Sequence, residues 1–138
     1  PLGHNRAKVV TLREEAIKLD IQKTPLSFCF VLRSMFEISA KAYCDDHKTD
    51  GLSTTRADGN DRNLVDILRD ITNHLTKNKK DRVKEKLLHG AMAEMGKSDG
   101  ILSVTSLNQL IHNPRFSITP NDICIMFGNI YPLLEAMN

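Results

Sequence analysis

Residues 25–46, PLSFCFVLRSMFEISAKAYCDD, constrain the fold more than any other stretch. Their spacing predicts a helix, and apolar side chains occupy nearly all of its circumference. A helix that is apolar all round has to be buried, so this one is expected at the centre of a helical bundle. Pro25 suits its first turn, where the missing N–H costs nothing. A single polar stripe, Arg33, Glu37 and Lys41, runs along it at i, i+4 and i+8. Opposite charges at that spacing support a helix by about 0.2–0.5 kcal/mol per pair and need no ligand. On so apolar a helix, Arg33 and Glu37 are expected partly buried, as organisers of the bundle centre.

What surrounds that helix also reads as helical, because no segment alternates with the period of two that a strand requires. Thr11 and Glu14 have the spacing of a capping box and predict a short first helix with Leu12, Ala16 and Leu19 on its apolar face, ending before Pro25. Residues 47–61, with two Asp-Gly pairs, read as a loop. Leu64, Leu68, Ile71 and Leu75 mark the next helix. Val83, Leu87, Leu88, Met92 and Met95 mark one after it, stopped at Gly96. A short helix with Val104, Leu107 and Ile111 inward should end at Pro114. The last begins at Thr119, Pro120 and Asp122, a strong start signal, and buries Ile123, Met126, Ile130, Leu133 and Met137. Pro132 should bend it, because its ring crowds the Gly128 carbonyl. The expectation is an all-α bundle of about five longer helices and one short one.

The chain has 138 residues, a length that suits one domain. Pro1 to Gly3 read as the scar of a cleaved expression tag, leaving residues 4–138 as a single domain expected to come from a longer protein. With no tryptophan, the core rests on Leu, Ile, Val and Met. Cys29, Cys44 and Cys124 are odd in number and far apart, which argues against a disulfide framework and for a reducing, cytoplasmic setting. Cys29 and Cys124 lie in apolar runs and are expected to be buried. No stretch is apolar enough for a membrane span, and no signal-peptide pattern appears in these residues.

Little of the usual chemistry has a signature. The five histidines, His4, His47, His74, His89 and His112, are scattered, without an H-E-x-x-H or similar pairing, so no metal is expected. Phosphate-cradling glycine loops are missing, and no cofactor is implied. Arg69 and His74 would suit metal-free RNA cleavage, with a guanidinium holding phosphate and an imidazole moving protons. A five-residue offset, however, turns them about 140° apart on a helix, and both also read as surface residues. A net charge of +2 does not announce a nucleic-acid binder. The run Lys77, Lys79, Lys80, Arg82, Lys84 and Lys86 reads first as a solvated face, and otherwise as a contact to an RNA or DNA backbone.

The stretch Leu107-Asn108-Gln109-Leu110-Ile111-His112 resembles the R-N-x-L-V-H motif of the HEPN superfamily, in which it precedes the last core helix. Asn108, Leu110 and His112 match, Ile111 stands for the valine, and Leu107 replaces the motif arginine. The segment VLRSMFEISAKAY is similar to the R-x-x-x-E core helix of many such proteins. The resemblance spans about residues 25–137. It implies a helical bundle that dimerises and belongs to bacterial immunity or conflict systems, and an RNA-cleaving site where two motifs meet. Leu107 removes the charged clamp on the phosphate, unless Arg115, Arg33 or Arg69 supplies it. Otherwise Asn108 and His112 satisfy backbone carbonyls around the Pro114 turn.

The resulting expectation is a non-catalytic HEPN-like domain for dimerisation or partner docking, with nucleic-acid contact through the lysine-rich segment. The alternatives are a metal-independent endoribonuclease and a sensor of nucleotides or modified nucleic acid.

Overall fold

The computed structural model describes residues 3–104, 107–114 and 118–138. Among them the chain forms seven α-helices and no strand: α1 (Ala7–Lys18), α2 (Pro25–Asp46), α3 (Leu64–Leu75), α4 (Arg82–Leu87), α5 (His89–Met95), α6 (Leu107–His112) and α7 (Pro120–Met137). The all-α bundle is as the sequence predicts. Its subdivision differs: four helices reach 12 residues or more, and three are short.

The helix α2 is the centre. It packs against α1, α3, α6 and α7, and it buries Phe28, Cys29, Leu32, Met35, Phe36, Ala40, Tyr43 and Cys44. Each large apolar side chain taken out of water here contributes about 1.5–3 kcal/mol. The helix α7 lies alongside α2 and α5 and buries all five residues of its predicted stripe, with Leu134 added. Its start is also as expected, since the Thr119 hydroxyl accepts from the Asp122 amide at 3.1 Å. The helix runs on past Pro132 to Met137.

Several local expectations fail for identifiable reasons. The first helix starts at Ala7, so Thr11 sits inside it and its hydroxyl donates to the Ala7 carbonyl instead of capping. What holds this early start is Arg6, which is 4% exposed. Its guanidinium donates to the His4 carbonyl, to Asp46 at 3.0 Å and to the Met137 carbonyl at 2.7 Å, joining the start of α1 to the ends of α2 and α7.

The segment 82–95 is not one helix but two, broken at Leu88 (φ −93°, ψ 3°). Leu88, Ala91 and Met95 are buried where α5 lies along α7. Gly90 permits that approach, because a Cβ there would come within 3.1 Å of the Asn129 backbone. The helix α4 packs chiefly on α5, so Val83 and Leu87 are exposed rather than in the core. In α6 it is Leu110 that is buried, while Ile111 is 49% exposed. Of the predicted inward stripe, Val104 is buried and Ile111 is not, and the side chain of Leu107 lies outside the described residues. Cys124 is exposed, against expectation, because on α7 it adjoins the buried Ile123 instead of sharing its face. No described helix is long and apolar enough to cross a membrane.

Candidate functional site

The densest group of chemically capable side chains lies where α2 ends, at residues the sequence leaves apart. His47 caps α2, its amide donating to the Tyr43 carbonyl. The chain then makes a single 3-10 turn, Lys48–Asp50, closed by Gly51 at φ 87°. That left-handed conformation is easy for glycine and costs other residues about 1–2 kcal/mol, so the Asp-Gly pair seen in the sequence sets the turn. The turn swings Asp50 back toward His47, with Nδ1 of His47 at 3.6 Å from Asp50 Oδ2. The last turn of α3 brings His74 to the same carboxylate, with Nε2 at 2.9 Å from Oδ2. On its other side, His74 Nδ1 meets the hydroxyl of buried Tyr43 at 2.7 Å. The two imidazole centroids are 4.7 Å apart, and that of His47 is 4.3 Å from the Tyr43 ring.

The electrostatics follow from this placement. The hydrogen bond from His74, with the attraction of both imidazoles, holds the Asp50 carboxyl below its usual value of 3.8. Burial first, and the Asp50 charge second, push the Tyr43 phenol up to about 12, so it works as a neutral hydroxyl. A carboxylate is only an acceptor, so His74 Nε2 carries a proton toward Asp50, and Nδ1, when it carries no proton, accepts from the Tyr43 hydroxyl. Ligand atoms of His47, Asp50 and His74 all lie within 4.8 Å of one another. These are the described residues that could hold a metal. The histidines are therefore not all scattered, and the signal for this was Tyr43, His47 and Asp50 at a helix end, followed by glycine.

The residues singled out in the sequence fall elsewhere or take other partners. Arg69, the candidate phosphate-holding residue of the ribonuclease alternative, is exposed and is not among the partners of His74. Asn108 and His112 are both exposed on α6, and neither has a hydrogen-bond partner among the described residues, which leave out residues 115–117 of the Pro114 turn. His112 lies beside a shallow cavity with Asp99, Ser103 and Asn113. Arg115 and the side chain of Leu107 lie outside the described residues.

The α2 stripe divides. Arg33 is 1% exposed and donates to Glu37 at 2.9 Å and to the Ile101 carbonyl at 2.7 Å, whereas Lys41 is exposed. Lys77, Lys79, Lys80, Arg82, Lys84 and Lys86 are all exposed. Within this group only Arg82 has an acidic partner among the described residues, Glu85 at 3.4 Å. The run begins in a turn in which Lys77, Asn78 and Lys79 take φ of 51°, 55° and 67°. Hydrogen bonds from the Asn78 amide to the Asn73 carbonyl and from the Asp81 amide to the Thr76 carbonyl hold that turn.

A second feature is an apolar groove of about 760 Å³ between α1, α2 and α7, walled by Val9, Ile17, Phe28, Leu32, Phe127 and Tyr131. Ile17 is 66% exposed and Tyr131 41%. Arg13 and Glu135, of opposite charge, stand at its lining. No protein-family model matches the chain, and no similar curated protein or solved structure was found.

Proposed function

We propose that the chain is a non-catalytic, HEPN-like interaction domain that pairs with a second copy of itself through the α1–α2–α7 groove. The observation that supports this reading is the groove with its exposed ridge. One patch offers both a hollow and the projecting Ile17 and Tyr131, which is what a two-fold, self-complementary contact needs. Arg13 and Glu135 add charges of both signs, so each copy brings a partner for the other's charge. The resemblance of residues 107–112 to the HEPN motif points the same way, toward a dimer in a bacterial immunity or conflict protein. The loss of the motif arginine at Leu107 favours docking over catalysis. The exposed lysine-rich segment after α3 would contact a nucleic-acid backbone, and such contact weakens steeply with salt.

Sedimentation equilibrium tests the proposal. A wild-type dimer should become a folded monomer when Ile17→Glu and Tyr131→Glu are combined, with circular dichroism checking the fold. A wild type that stays monomeric at high concentration, or a dimer indifferent to both changes, overturns the pairing. RNA cleavage by the wild type that is lost in His112→Ala or His74→Ala overturns the non-catalytic part.

A further inference from the structure

We propose that His47, Asp50 and His74 form a binding site for one divalent transition-metal ion of the zinc class, which ties the loop after α2 to the end of α3. The donor set is two imidazoles and one carboxylate, which zinc accepts, and it leaves a fourth position for water. Hard cations such as Mg²⁺ prefer an all-oxygen shell, so the two nitrogens select against them.

The geometry is close to what an ion requires. With metal–ligand distances near 2.1 Å, neighbouring tetrahedral ligand atoms stand about 3.4 Å apart. The His47–Asp50 separation is 3.6 Å and the His74–Asp50 separation is 2.9 Å, and all three ligand atoms lie within 4.8 Å. An ion therefore asks the short pair to open by about half an ångström and the histidines to draw in. Such shifts are within reach of these side chains, because Asp50 is 52% exposed, His47 36% and His74 27%. The same exposure gives an ion from solution an entry path.

Tyr43 supplies the support that metal-bound histidines usually have behind them. A ligating imidazole donates its other ring proton to an acceptor, which fixes its tautomer and orientation. The Tyr43 hydroxyl stands 2.7 Å from Nδ1 of His74 and can accept as well as donate. When Nε2 turns from Asp50 to the metal, the ring proton moves to Nδ1 and is held by the Tyr43 oxygen. That is a change of tautomer, with no net loss of a proton from the ring. Gly51 and the turn before it hold Asp50 in place in advance, with the Asp50 amide on the His47 carbonyl at 3.0 Å.

The site is separate from the groove and does not depend on pairing. It is tested on the whole chain after chelator treatment, with Cys124→Ser as the background because that thiol is exposed and could bind zinc by itself. Titration with ZnCl₂ followed by calorimetry should give one ion per chain, a melting temperature that rises with free zinc, and no response to MgCl₂. Co²⁺ should give visible absorption of a tetrahedral, nitrogen-containing site. His47→Asn and Asp50→Asn lie on the surface turn and should each lower the zinc affinity by at least tenfold. Tyr43→Phe should lower it by about 10–100-fold while leaving one ion per chain. His112→Asn is the control and should bind as the background does. Failure of the background protein to take up zinc overturns the proposal. So does equal binding by His47→Asn and Asp50→Asn, which would place the ion elsewhere.

Discussion

Arg33 and Glu37 give the sharpest test of how the bundle centre is held. The guanidinium is almost wholly removed from water, yet among the described residues it reaches only Glu37 and the Ile101 carbonyl. Arg33→Met keeps most of the buried stem volume and leaves the Ile101 carbonyl unsatisfied, a cost of about 1–3 kcal/mol. Glu37→Met strands a buried cation. Loss of one member of a fully buried pair costs about 3–5 kcal/mol, and the 37% exposure of Glu37 lowers the expected value to about 2 kcal/mol. In the double variant the stranded charge is gone and only the carbonyl penalty remains. The double variant should therefore be more stable than the sum of the singles predicts, by about 2 kcal/mol. Urea denaturation of the four proteins, followed by circular dichroism, measures this coupling. A coupling below about 0.5 kcal/mol is what an exposed i, i+4 pair gives, and it would refute the claim that burial sets the strength of this one.

Other outcomes follow from single placements. Leu110→Ala should destabilise by about 2–5 kcal/mol, and its neighbour Ile111→Ala, half exposed, by less than about 1 kcal/mol, both read by thermal melts. Lys79→Gly should raise stability by about 1 kcal/mol, because φ of 67° strains any side chain there. Only Cys124 should react with a thiol reagent at pH 8 in native protein, and all three cysteines in urea. Burial closes off Cys29 and Cys44, and pushes both thiols up to about 11, so neither forms a thiolate at that pH. Mass spectrometry counts the labels.

Much of the scaffold was legible in the chain. The all-round apolarity of residues 25–46 demanded a central helix, Thr119-Pro120 marked where α7 starts, and the 3.6-residue stripes name the side chains that α7 buries and three of those that α3 buries, Leu64, Leu68 and Ile71. Those signals are local, since capping and helical periodicity act within a few residues. Legibility failed where a neighbour decided. Val83 and Leu87 satisfy the helical period as well as Leu88 and Met95 do, but α4 runs past the helices that would cover them. The early start of α1 depends on an arginine whose partners lie 40 and 131 residues away.

The candidate site shows the same division. The Asp50-Gly51 pair announced a tight turn, and the sequence identified His74 as a proton-moving side chain, paired with Arg69. Its real neighbours are Tyr43, His47 and Asp50, drawn in because α3 packs on α2 and ends beside the turn that leaves it. By itself the sequence determined which segments are helical and which faces are apolar, because hydrogen bonding within a helix and burial of a stripe are short-range demands. Only the tertiary structure decided which polar side chains meet across helix ends, because that depends on how two packed helices terminate relative to each other.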